Sequence, residues 1–416
     1  MKRNAEEIRG LIKKRLEYGD IVLWGYNEAA KAFYLNNRDK YRMKACVTEQ
    51  RNHPNYLLEE SLEMPIAEWN EYKAGENDYI IMFGTPFIHI ENQISASGLK
   101  IFEDYVDANL VEYLLSGKKI AIVAGSCQIV AFCDILREVK SFTDEYVVLR
   151  FPTHNWKSRY ALKSISYLKN ICDLYLCMKH EDDDLMFFSK EELPEGCRVV
   201  TLPYAVMRLY WPQIKGNWRN MGNEFFLKST ETKQHGPFEI GDMNINRMIK
   251  EGKDVEEIVE TLTSEDFYTD QQIKDHIDMA LRTLEFAEEG CDIRILPYIR
   301  ENFTQKMLYR DMTHMQPALI CEMVRQVLRY LGMDASEIDD MQRRGVEIPI
   351  YKEFSEHCTE IPIYPSVAKH MGMEWAEKNA LWDVRFYNGL RKLTFEEYVR
   401  AYYGLCSKMA AVLAEW

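Results

Sequence analysis

Two short stretches carry side chains able to do chemistry. The first, Gly125-Ser126-Cys127-Gln128, follows the apolar run Ile120-Ala121-Ile122-Val123-Ala124 and precedes an amphipathic stretch. A cysteine at such a strand-to-helix turn sits where the helix dipole and open backbone N–H groups favour a thiolate. The same N–H groups suit an oxyanion or a phosphate, and Gly125 would allow a tight turn and close approach of a ligand. A free cysteine is equally at home as a small buried residue, so position alone leaves both roles open. The second stretch is Asp311-Met312-Thr313-His314-Met315-Gln316-Pro317, with Pro317 suited to the first turn of the helical pattern that follows. A histidine three residues after an aspartate has the form of a base oriented by a carboxylate. A surface Asp-His pair capping the helix has the same spacing.

Weaker candidates lie elsewhere. Arg208, Lys215 and Arg219 cluster in sequence near Trp211 and Trp218, a grouping that suits phosphates with an adenine beside an aromatic ring, or a mixed surface patch. His154, in Phe151-Pro152-Thr153-His154, follows a strand end and is a candidate pocket residue. His235, in the turn-rich Gln234-His235-Gly236-Pro237, is a candidate substrate contact. His53, His180, His276, His357 and His370 read as surface or structural residues. The acidic run Glu181-Asp182-Asp183-Asp184 reads as a solvated loop, and no metal is expected.

The elements that must position these residues fall into two parts, since 416 residues exceed one ordinary core. Residues 1–115 alternate strand patterns at 20–25, 43–48 and 78–84 with helical ones, which predicts a Rossmann-like parallel sheet. The glycine fingerprint is reduced to Gly25, with Asn27 and Ala30 where a dinucleotide site prefers glycines. That predicts a structural or substrate-presenting domain rather than a tight NAD site, although Glu49 is placed to accept a ribose hydroxyl. Residues 116–416 form the second α/β domain, with strands at 120–124, 146–150, 174–178 and 198–202. Helical periodicity covers 157–170, 242–262 and 268–289, and after 290 the pattern is mainly helical through 317–332, 367–379 and 394–415.

Composition excludes several function classes. The formal charge is −14, unlike a dedicated nucleic-acid binder, which needs clustered positive charge. None of the 10 cysteines forms a CxxC pair, so zinc and redox motifs of that spacing are missing. The first twenty residues read as a charged amphipathic helix without the apolar core of a signal peptide, and no apolar run approaches a membrane span. Free thiols in a reducing cytoplasm are the expected setting, and a homo-oligomer is compatible with the sequence.

Four stretches, in order, resemble the polysaccharide-biosynthesis family named after the capsule protein WcbI. They are the strand ending in Gly125-Ser126-Cys127-Gln128; Leu202-Pro203-Tyr204-Ala205 with Tyr210-Trp211-Pro212-Gln213; Gly241-Asp242-Met243-Asn244-Ile245 with Gly252 and Val255-Glu256-Glu257; and Thr313-His314 with Pro317, followed by Ile363-Tyr364-Pro365-Ser366-Val367-Ala368. They span about residues 118–375. Family members usually show Gly-Asn-Cys-Gln where this chain has Ser126, and His-Pro where it has Met315-Gln316 between His314 and Pro317. The resemblance implies an SGNH-like α/β domain with cysteine at the nucleophile position and a helical tail. It implies binding of coenzyme A and transfer of an acetyl group from acetyl-CoA to a hydroxyl of a glycan or sugar-nucleotide acceptor in capsule or other surface polysaccharide. Cys127, Gln128 and His314 are the matching site positions. In that reading His314 is the base oriented by Asp311, and Gly125, Ser126, Gln128, Arg208, Lys215 and Arg219 meet the cofactor. An esterase releasing acyl groups to water, and a non-catalytic coenzyme A or nucleotide-sugar binder, share the same residues.

Overall fold

A strand covered on both faces needs apolar residues at nearly every position. β1 (Asp20–Trp24) and β2 (Met43–Thr48) are such runs. With β3 (Ile66–Glu68), β4 (Asp78–Met82) and β5 (Tyr105–Asp107) they form a five-stranded sheet in the order β3-β2-β1-β4-β5, parallel throughout. The computed structural model describes residues 5–25, 27–48, 64–68, 71–83, 98–152, 166–179, 188–214, 223–225, 238, 240–344, 360–376, 380–386 and 389–414. Val22, Trp24, Val47, Ile80, Met82 and Tyr105 make one buried cluster on this sheet. α1 (Ala5–Tyr18) buries Ile8, Ile12 and Leu16, one residue per turn on a single face.

The strand order reverses beside β1, where the chain turns into α2 (Glu28–Asn37). Gly25 takes φ +97°, and a Cβ there would lie 1.8 Å from the Phe83 carbonyl oxygen. Asn27 caps α2 by accepting from Ala30 N–H at 3.0 Å, and Ala30 is itself fully buried. The positions that depart from the glycine fingerprint therefore serve capping and packing. Glu49 lies outside the described residues.

α3 (Ala108–Leu115) leads to a second sheet of β6 (Lys119–Gly125), β7 (Tyr146–Pro152), β8 (Leu174–Lys179) and β9 (Arg198–Pro203), in the order β7-β6-β8-β9. α4 (Gln128–Glu138) and the short α5 (Lys140–Thr143) separate β6 from β7. Packing divides the chain into two units. One comprises Met1–Val123, Asp144–Tyr175 and Phe187–Val199; the other comprises Ala124–Thr143, Leu176–Met186 and Val200–Trp416.

The second unit adds α6 (Met243–Lys250), α7 (Val255–Leu262), α8 (Asp270–Ala287), α9 (Leu296–Asn302), α10 (Pro317–Leu331), α11 (Ser336–Arg344) and α12 (Pro365–Met371). It closes with the antiparallel pair β10 (Trp382–Phe386) and β11 (Gly389–Leu393), and α13 (Phe395–Ala414). Several helix bounds expected from the sequence are corrected here. The helix expected over 242–262 is two, because Gly252 adopts φ +76° and Asp254 then starts a new capping box with Glu257. The helix expected over 367–379 stops at Met371, where Gly372 adopts φ +66°. The mainly helical C-terminal part also contains the β10–β11 hairpin. Of the helix expected over 157–170, residues 157–165 lie outside the described set, and Ser166–Ile171 is a 3₁₀ helix.

A buried polar network ties these late elements together. Asp242 caps α6 through Asn244 N–H (2.9 Å) and Ile245 N–H (3.0 Å), and accepts the Tyr364 hydroxyl at 2.8 Å. Its own N–H donates to the Tyr402 hydroxyl at 2.9 Å, and Tyr402 donates to Asn246 Oδ1 at 2.8 Å. Burial pushes the Asp242 carboxyl up to about 6 against these hydrogen bonds.

Gly25→Ala tests the first sheet. A side chain cannot share the space of the Phe83 oxygen, and its φ is a left-handed one. The variant is expected to lower the melting temperature of the full chain and to make the segment that follows β1 more open to proteolysis. An unchanged melting temperature would refute the close approach.

Candidate active site

β6 delivers the first reactive segment. At its end Gly125 is fixed by packing: an added Cβ would lie 2.6 Å from Ile129 Cγ2 and 2.7 Å from Met178 Cβ. The bulk of these two side chains by itself requires a glycine here. Ser126 is 3% exposed and points inward, its hydroxyl donating to Met178 Sδ at 3.3 Å and accepting from Gln128 N–H at 3.3 Å. Cys127 is the N-cap residue of α4 and remains partly exposed.

The N–H groups after Cys127 were expected to be open to an anion, and they are not. Gln128 N–H is taken by the Ser126 hydroxyl, Ile129 N–H by the Ser126 carbonyl at 3.2 Å, and Val130 N–H by the Cys127 carbonyl at 3.0 Å. The first turn of α4 is thus satisfied from within, which is one way a helix end disposes of its unpaired donors.

Gln128 is 2% exposed, and its side chain is spent on the protein. Its amide donates to the Ala205 and Thr313 carbonyls, each at 2.9 Å, and its oxygen accepts Ala205 N–H at 3.3 Å. The residue therefore holds three segments together. Ala205 and Thr313 were not singled out in the sequence; no local pattern marks a carbonyl as the partner of a distant amide.

The second reactive segment is the tip of a hairpin. Tyr309 and Met315 form an antiparallel bridge, Arg310 N–H donates to the His314 carbonyl at 2.9 Å, and Gln316 N–H to the Leu308 carbonyl at 2.8 Å. Met315 and Gln316, the two residues before Pro317, thus close the hairpin. Asp311, 3% exposed, organises the tip. Its Oδ1 accepts Thr313 N–H (2.7 Å), the Thr313 hydroxyl (2.8 Å) and His314 N–H (2.9 Å), while Oδ2 accepts from His314 Nδ1 at 2.6 Å. Burial would raise the Asp311 carboxyl, but the imidazole beside it and these hydrogen bonds outweigh burial and hold it below its usual value. Asp311 is not the cap of α10, whose N-cap is Gln316.

The other candidates are more scattered. Arg208 is half-buried and donates from Nη1 to the Ile214 carbonyl at 2.9 Å, closing its own loop; burial lowers its pKa. His276 Nε2 lies 2.7 Å from the Arg208 carbonyl in a buried, structural position, as the sequence suggested. Lys215, Arg219, His154 and His235 lie outside the described residues, as does the acidic run 181–184. A groove of about 770 Å³ lined by Arg282, Phe286, Arg294, Leu296 and Arg300 contains none of the candidates. Among the described residues no three His, Cys, Asp or Glu side chains gather as a metal site, and no helix is long and apolar enough to cross a membrane.

The cluster that results has buried members, Ser126, Gln128, Asp311 and Thr313, at 2–8% exposure, and two open ones. The open pair is Cys127 and His314, whose side chain is 22% exposed. Each is the chain neighbour of a partner in the Gln128–Thr313 hydrogen bond.

No curated protein matches the chain. Among solved structures it is similar to WcbI, described as a novel polysaccharide biosynthesis enzyme and determined as the native protein without a disulfide bond between coenzyme A and one of its cysteines. The identity is 18%, the TM-score 0.53, and the match covers 71% of this chain and 93% of that one, a likeness of fold. The profile of the polysaccharide biosynthesis enzyme WcbI family matches residues 120–336, more than half of the sequence and the span that holds Cys127 and His314. The chain belongs to the WcbI family of polysaccharide biosynthesis enzymes.

Proposed function

We propose that the protein is an O-acyltransferase that moves an acyl group, acetyl in the simplest case, from acyl-coenzyme A to a sugar hydroxyl of a capsule or other surface polysaccharide or its sugar-nucleotide precursor. The observation that carries this reading is that the partly exposed Cys127 and His314 each adjoin a residue of the buried Gln128–Thr313 hydrogen bond. Coenzyme A comes from the structural relative, which is described as the native protein without a disulfide bond between that molecule and a cysteine. The residues here suit such a donor: a partly exposed thiol at a helix start, a carboxylate-held imidazole, and Arg208 with guanidinium donors beyond the one given to Ile214. The reading places binding within residues 116–416, treats the site as SGNH-like, and assigns the reaction to the cytoplasm.

Asp311 fixes the proton of His314 on Nδ1, which leaves Nε2 as the proton acceptor. In the covalent branch Cys127 attacks the acyl carbonyl, its sulfur–carbon bond forms, and the coenzyme A thiolate leaves and is protonated. His314 Nε2 then takes the proton of the sugar hydroxyl as its oxygen attacks the Cys127 thioester, and Cys127 leaves as thiolate. In the direct branch His314 activates the hydroxyl for attack on the donor, and Cys127 only shapes the turn. The central experiment is time-resolved release of coenzyme A from acetyl-CoA with and without glycan acceptors. Release accelerated by a glycan that becomes acetylated supports transfer. Equal release without acceptor, or none at all, overturns it.

His314→Ala is expected to lower turnover roughly a hundredfold or more with little change in coenzyme A affinity by calorimetry. Cys127→Ser separates the branches, because a poorly ionised hydroxyl makes a weak acyl carrier. Loss of most activity, with an acyl adduct on Cys127 in the wild-type protein, supports the covalent branch, whereas near-normal turnover discards it.

Asp311→Asn is expected to cut kcat by about 10² to 10⁴, since an amide no longer fixes the tautomer. A carboxyl depressed in the fold stabilises the native state at neutral pH, and that contribution fades as pH falls below the usual carboxylate range of about 4. The stability gap between wild type and Asp311→Asn, measured by denaturant unfolding, should therefore shrink from pH 7 to pH 3. A gap independent of pH would refute the anionic role.

A further inference from the structure

Two thiols of the first unit stand at the starts of neighbouring strands. Cys172 stands two residues ahead of β8 and Cys197 one residue ahead of β9, and these strands are neighbours in the second sheet. Arg198 N–H donates to the Asp173 carbonyl at 3.0 Å, so the residues immediately after the two cysteines are joined backbone to backbone. Asp173 is anchored in turn: its N–H donates to the Ile120 carbonyl at 2.9 Å, and its Oδ2 accepts Ile120 N–H at 2.7 Å. The Cys172 thiol donates to the Leu174 carbonyl at 3.3 Å and also interacts with the Cys197 thiol, which raises the pKa of Cys172 and lowers that of Cys197. Cys172 is 3% exposed, whereas Cys197 is partly open to solvent.

We propose that Cys172 and Cys197 are a reversible dithiol–disulfide pair, with Cys197 the attacking thiol and Cys172 the resolving one. The Arg198–Asp173 backbone bond holds the two strand starts at sheet spacing, about 5 Å, within the Cα span of a disulfide. The interaction with Cys172 favours the Cys197 thiolate over burial, and the same interaction together with burial keeps Cys172 protonated. With glutathione disulfide as oxidant, the Cys197 thiolate attacks one sulfur and releases one glutathione thiolate. Cys172 gives up its proton, attacks the Cys197 sulfur and expels the second glutathione. Two protein thiols are oxidised and one glutathione disulfide is reduced, so the step balances.

Neither cysteine belongs to the family motifs or to the acyl-transfer site, so the inference stands independently of the proposed activity. The full chain, treated with glutathione disulfide and digested with trypsin without reduction, should yield the peptide 170–179 joined to 191–198. Its mass should be two hydrogens below the sum of the two peptides, and dithiothreitol should reverse the link. Peptide 170–179 also contains Cys177, so fragmentation must place the link on Cys172. Cys172→Ser should retain glutathione on Cys197, and Cys197→Ser should abolish both the link and glutathionylation at Cys172. A wild-type protein whose Cys197 stays free, or stays as the glutathione adduct while Cys172 remains reduced, overturns the proposal. So does a link formed through Cys177.

Discussion

One buried amide carries the geometry of the site. Gln128 reaches Ala205, 77 residues away, and Thr313, 185 residues away, and satisfies both carbonyls at once. A neutral hydrogen bond contributes only about 1 kcal/mol net, but leaving a buried carbonyl unpaired costs about 1–3 kcal/mol, so the arrangement is defended chiefly by the penalty for breaking it. Because Gln128 follows Cys127 and Thr313 precedes His314, the same bond ties together the two segments that carry these partly exposed side chains.

Asp311 plays the complementary part inside its own loop. Four hydrogen bonds converge on one carboxylate, three of them from backbone or hydroxyl groups. The charge is kept because these donors and the imidazole offset the cost of burial. The first turn of α4 follows another logic, consuming its N–H groups on Ser126 and Cys127. Any stabilisation of a developing negative charge must then come from donors other than those three.

The sequence revealed what is local. β2 was readable to the residue, because an apolar run bounded by charged positions suits a covered strand. The Asp311–His314 pairing was equally visible in its spacing. What escaped is either short or distant. Three residues such as Ile66–Glu68 carry no periodicity. The alternation Trp382, Val384, Phe386 with a following Asn388-Gly389 was a hairpin signal, but it was submerged between two strong helical patterns. The role of Gln128 was beyond reach, since a glutamine in the first turn of a helix looks the same whether it faces solvent, a ligand or two distant carbonyls. Gly125 was legible as a constrained position, yet its constraint, the bulk of Ile129 and Met178, becomes visible only once β6, α4 and β8 are assembled.

Asp242 and Tyr402 are 160 residues apart, yet the hydroxyl of one receives the N–H of the other. During synthesis, every nascent chain that has emerged past residue 242 but not yet past 402 holds a helix cap whose backbone donor lacks its final partner. Elongation at about 5–20 residues per second makes that interval last roughly 8–32 s, long compared with the formation of a helix. The C-terminal helix thus acts as a latch that is produced late. Until it docks, the Asp242 N–H and Asn246 Oδ1 lack the Tyr402 hydroxyl that both bond, and chaperone capture or proteolysis during translation should concentrate in that window.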